Sequence, residues 1–168
     1  MKRETLIITG IALVALVIGV VVFLSGRGGV PSTSSAVANT QPSAVVVPFT
    51  EITHGSKSTV TTRVNYFITS TDELNKLWKM IDATGTPPVI DFNTHAVLAV
   101  FAGKESTSSI TVAKIEDAST RMVSIAIAKP DSACTKKPPA TSLYEIVAVP
   151  VTSLPLAHED IPTTATCP

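Results

Sequence analysis

Ala96-Val97-Leu98-Ala99-Val100-Phe101-Ala102 is an unbroken apolar run. A strand with one wet face alternates apolar and polar residues, whereas a strand covered on both faces reads as continuous apolar sequence. The run therefore predicts a central strand covered on both faces.

Around it the period is two. Val64, Tyr66 and Ile68 alternate with Asn65, Phe67 and Thr69, and Ile110 and Val112 alternate with Thr111 and Ala113. Val123, Ile125 and Ile127 alternate with Ser124, Ala126 and Ala128. Leu143, Glu145, Val147 and Val149 alternate with Tyr144, Ile146 and Ala148, until Pro150 ends pairing. Residues 116–121 read as a polar hairpin connection.

One segment breaks the strand pattern. Ser70 and Glu73 form a capping box, in which hydroxyl and carboxylate satisfy orphan backbone donors at a helix start. Leu74, Leu77, Trp78 and Ile81 follow at helical spacing, and Gly85, Pro87 and Pro88 stop the helix. Trp78 reads as a core anchor. Asp91, before Phe92 and the apolar run, reads as a turn or capping carboxylate. The expected fold class is α+β and predominantly β: an antiparallel barrel- or sandwich-like sheet of five to six strands with one packed helix.

The N-terminus belongs to another environment. The whole chain is 45% hydrophobic, but residues 6–24 hold no charge and are nearly all apolar. A helix of that length spans roughly 28 Å, the thickness of a bilayer's hydrocarbon. It is also longer than the apolar core of a cleaved signal peptide. Lys2 and Arg3 precede it and only Arg27 follows before Lys57, which predicts the N-terminus inside and the C-terminus outside. Residues 1–5 are then a cytoplasmic N-terminus, 6–24 a single-pass transmembrane helix and 25–47 a flexible Ser/Gly/Pro-rich linker. Residues 48–168 form an extracytoplasmic domain, and membership of the 44–47 end of the linker in that domain stands as an alternative. Net charge is +0, which leaves no basic footprint for nucleic acid.

Cys134 and Cys167 are the only cysteines, and both fall on the expected outer side. An even count in an oxidising compartment argues for one disulfide, which would pin to the domain the Pro-rich tail 151–168, expected to carry little secondary structure of its own. The alternative is two free thiols. His54, His95 and His158 match no metal motif, and no serine stands in a nucleophile motif. The expectation is no catalytic residues, no metal and no cofactor. Gly103, Lys104, Glu105, Ser106, Thr107, Ser108 and Ser109 join the buried strand to the next one, which makes them a candidate partner-binding loop.

Taken in order, several segments resemble the PrcB C-terminal domain family, named for a subunit of a bacterial cell-surface protease complex. They are Gly55, Leu77-Trp78, Val89-Ile90-Asp91-Phe92 leading to Gly103, Pro130 to Cys134, and Thr141-Ser142-Leu143-Tyr144 running to Pro150. Two positions depart from the family. Its P-T-G-G-Y loop reads Ser106-Thr107-Ser108-Ser109-Ile110 here, and Leu143 replaces a proline. The resemblance implies a non-catalytic extracytoplasmic domain whose partner is an envelope protein, a secreted or surface protease among the candidates. A protease-inhibitor-like domain acting through residues 103–109, and a structural or small-ligand-binding envelope module, stand as alternatives.

Overall fold

Alternate residues of the long apolar strand face two different cores. In the computed structural model, which describes residues 43–81 and 83–167, that strand is β4 (His95–Glu105). The others are β1 (Val45–Val46), β2 (Thr50–Gly55), β3 (Val64–Ile68), β5 (Ser109–Asp117), β6 (Arg121–Pro130), β7 (Thr141–Pro150) and β8 (Leu156–Ala165). They form two four-stranded sheets, ordered β1-β5-β6-β8 and β2-β7-β4-β3. The fold is a β-sandwich with one short helix, α1 (Thr71–Trp78).

Parity along β4 and β7 divides the interior. Ala96, Leu98, Val100 and Ala102 join Val147 and Val149 against Ile110, Val112, Ile115, Val123 and Ile125 of the other sheet. Val97, Ala99 and Phe101 join Tyr144 and Ile146 against Leu74 and Leu77 of α1. The apolar run is thus the middle layer of three. Each fully buried Val, Leu or Phe side chain there contributes about 1.5–3 kcal/mol relative to exposure.

The helix starts as its sequence predicts and stops sooner. The Ser70 hydroxyl accepts the Glu73 N–H at 3.3 Å, and the Glu73 carboxylate accepts the Thr69 N–H at 2.8 Å. That second bond holds the Glu73 pKa below its ordinary value. At the far end the Lys79 N–H turns back to the Lys76 carbonyl, and Ile81 leaves the helix to bridge Ser58. Ile81 still packs with Leu74 and Leu77, so the apolar spacing reports the cluster rather than the helix end.

Three expectations need correction. Eight strands occur among the described residues, against five or six expected. Val45 and Val46 pair with Asp117 and Glu116, so the domain begins inside the stretch assigned to the linker. Residues 156–165, expected to carry little secondary structure, form β8, and β8 runs parallel to β6 rather than antiparallel. Its polar side chains hold it in place. Ser124 donates to Glu159 at 2.7 Å, and the Arg63 guanidinium grips both Asp160 oxygens at 2.5 and 3.0 Å. Cys134 and Cys167 are bridged, which fastens the end of β8 to the connection after β6. Pro162, Glu159 and Asp160 also blunt a strand that would otherwise offer a long open edge.

The expected anchor, residues 6–24, lies outside the described residues, as does the linker up to residue 42. Among the described residues no helix is long and apolar enough to cross a membrane.

Candidate functional site

The edge of the sandwich carrying β1 and β2 is only half closed. β1 covers the Glu116 and Asp117 end of β5, and the Val47 N–H reaches the Ile115 carbonyl at 2.8 Å. The chain then crosses to the other sheet as β2. From Ser109 to Val112, β5 therefore has β6 on one side and, among the described residues, no strand on the other.

A cleft of about 470 Å³ opens at this edge. Ser108, Ser109, Ile110 and Thr111 form one wall, with Glu51, His54, Gly55, Leu143, Tyr144 and Glu145 opposite. Glu145 is its chemical centre. It shares the inward face of β7 with Val147 and is only 6% exposed. One of its carboxylate oxygens accepts the outward N–H of Val112, beside the irregularity in β5 between Val112 and Lys114. Burial raises the Glu145 pKa, the Val112 N–H lowers it, and the nearby Glu51 carboxylate adds to the rise. At the mouth, His54 Nδ1 lies 2.7 Å from Glu51 Oε1. That bond holds the imidazole pKa above its ordinary 6.5.

A second cleft, of about 460 Å³, adjoins the first and shares Ser108 and Leu143 with it. Thr107, Pro138, Pro139, Thr141, Ala165 and Thr166 line the remainder. Thr107 is 3% exposed, and its hydroxyl has no hydrogen-bond partner. A buried hydroxyl without a partner costs about 1–3 kcal/mol. The two clefts meet at Ser108 and Leu143, with carboxylates lining the first and prolines the second.

The expected 103–109 loop is mostly strand. Gly103, Lys104 and Glu105 continue β4, paired with Leu143, Ser142 and Thr141, and Ser109 opens β5. Only Ser106, Thr107 and Ser108 form the connection. Buried Thr107 makes it a tight crossing between sheets rather than a projecting loop. Gly103 has φ +80°, and a Cβ there would lie 2.8 Å from the Thr62 carbonyl carbon and 2.9 Å from the Arg63 nitrogen. Lys104 faces a different cleft, with Ser142, Thr59 and Lys79. Glu105 pairs with Lys129 at 2.7 Å. Of the seven residues, Ser108 and Ser109 reach the acidic cleft and Thr107 and Ser108 the proline-lined one.

The remaining predicted residues support the scaffold. Tyr144 is buried against Phe101, ring centroids 5.8 Å apart, and lies so close to Gly55 that a Cβ there would meet its hydroxyl at 2.6 Å. Phe92 and Trp78 are partly buried in the cluster under α1, where the Trp78 Nε1 has no hydrogen-bond partner. Asp91 forms a turn, accepting the Asn93 N–H at 3.0 Å and the Thr94 hydroxyl at 3.1 Å, and these bonds lower its pKa. His54, His95 and His158 stand on β2, β4 and β8. Among the described residues no group of three His, Cys, Asp or Glu side chains is placed to hold a metal ion.

Two residues escaped the sequence reading. Glu145 had a visible signal, a carboxylate in phase with Leu143, Val147 and Val149. Arg121 had none, because it ends a polar stretch. It is 3% exposed, bonded at 2.7 Å to both oxygens of Asp117 and also to the Pro150 carbonyl. No protein-family model, curated protein or solved structure matches this chain.

Proposed function

We propose that this protein is a membrane-anchored, extracytoplasmic interaction domain that acts on another envelope protein without catalysing a reaction itself. The observation that carries the reading is the Cys134–Cys167 disulfide, which fastens the outermost strand of the domain. Structural disulfides persist in oxidising compartments outside the cytoplasm, where the charge bias around residues 6–24 would direct this domain. As a flexible coil the linker would have an r.m.s. span of roughly 25 Å, tethering the domain near the membrane without fixing its orientation. The resemblance to PrcB C-terminal domains makes a secreted or surface protease the leading partner, assembled, matured or regulated by this domain.

The half-open sheet edge supports an interaction role, since strand edges and clefts between sheets are common docking sites for extended segments. The inhibitor-like alternative has less support, because its loop is short and Thr107 is buried. The test is cross-linking on intact cells with a membrane-impermeant reagent, using the full chain tagged at its C-terminus. The expected result is repeated recovery of one envelope protein, a protease in the leading case. Repeated recovery of none overturns the reading.

A further inference from the structure

We infer that the groove running across Ser108 and Leu143 binds an extended peptide segment of the partner, and that this segment presents a Lys or Arg side chain to Glu145. The inference deepens the interaction reading and rests on it. Three observations converge. The outer edge of β5 from Ser109 to Val112 carries no strand among the described residues, so an incoming segment finds backbone groups to pair with. Glu145 is more than nine-tenths buried, lines the groove and belongs to the same edge through its bond from Val112. One carboxylate oxygen is engaged in that bond, and a carboxylate accepts further donors. At the other end, the Thr107 hydroxyl is buried without a partner beside Pro138 and Pro139.

Charge selects the occupant. Glu145, Glu51 and the His54 imidazole line this end, and no Lys or Arg does, so carboxylates outnumber the one group that can turn cationic. Glu51 is bonded to His54, which leaves Glu145 as the deeper acceptor for a cation. An ammonium or guanidinium group arriving there gains a charge-assisted hydrogen bond in a partly desolvated site. An acidic segment would meet two carboxylates. The proline-lined end suits the apolar residues that follow in the same segment.

The experiment pans a random dodecapeptide phage library against the full chain in detergent micelles, then measures enriched synthetic peptides by fluorescence anisotropy. The expected peptides carry Lys or Arg, and their affinity falls about tenfold or more in Glu145→Gln and in Ser108→Trp. Glutamine keeps an acceptor for the Val112 N–H, and circular dichroism checks that each variant is folded. Ser153→Trp, exposed between β7 and β8, leaves affinity unchanged. Failure to enrich peptides, enrichment without a basic residue, or affinity insensitive to both substitutions overturns the groove assignment. An envelope partner recovered equally well from cells carrying Ser108→Trp would also overturn it, while leaving the interaction reading standing.

Discussion

The Glu145 carboxylate accepts the backbone N–H of Val112, so one side chain of β7 joins one sheet of the sandwich to the bare edge of the other. The bond satisfies an edge donor and places a charge among apolar neighbours. Burial raises the Glu145 pKa, so the folded state holds this proton to higher pH than the unfolded chain does. Its contribution to stability is complete below the ordinary carboxylate value of 4.5 and is lost as pH rises through the folded value. The difference in thermal midpoint between the parent and Glu145→Gln should therefore shift steadily against the parent as pH rises from acid to neutral. A constant difference, or one moving the other way, would show that burial does not control this group.

Arg121 and Asp117 give the opposite pH dependence. The Arg121 guanidinium holds the Asp117 pKa below its ordinary 3.8. Stability from this pair is present above that value and is lost as pH falls through the folded one. Asp117→Asn leaves a buried guanidinium without its charge partner and should cost about 3 kcal/mol in urea denaturation at neutral pH. A cost near zero would mean that the Pro150 carbonyl alone satisfies Arg121.

The glycines separate conformation from space. Gly103→Ala places a methyl group at a positive φ and against backbone atoms that cannot swing aside, a loss of about 3 kcal/mol or more. Gly85→Ala also has a positive φ, +95°, but nothing lies within 4 Å of its Cβ. Its cost should be about 1–2 kcal/mol, the conformational penalty alone. Equal losses in the two variants would refute the close approach at Gly103.

Removing the disulfide with Cys134→Ser and Cys167→Ser should cost about 3–4 kcal/mol on the loop-entropy estimate. The loss should begin in β8, which among the described residues pairs with β6 alone. Hydrogen exchange should show β8 amides deprotected while β4 amides keep their protection. Uniform loss across both strands would mean that β8 is integral to the sandwich.

How much the sequence discloses depends on where each residue's partners lie. The continuous apolar run of β4 is legible because burial on two faces leaves a one-dimensional pattern, and the Ser70 and Glu73 cap is legible because its partners are three residues apart. β8 is not legible. Leu156, His158, Asp160 and Pro162 share no hydrophobic phase, and what holds the strand is distant: Arg63, Ser124 and Cys134. Residues 103–105 are strand rather than loop for a reason equally distant in sequence, since Gly103 and Lys104 pair with Leu143 and Ser142 about 40 residues away. The sequence places Ser108 in the candidate segment, but Glu145 joins it only through the meeting of two sheets.

Photo-cross-linking from the groove in living cells tests the central claim most directly. A benzoylphenylalanine replaces Ser108 in the full chain and, as control, Ser153. One discrete protein adduct from position 108 and none from 153 is the expected result, with the adduct lost when Glu145→Gln is added. No adduct from position 108, or the same adducts from both positions, would contradict a partner bound at this edge.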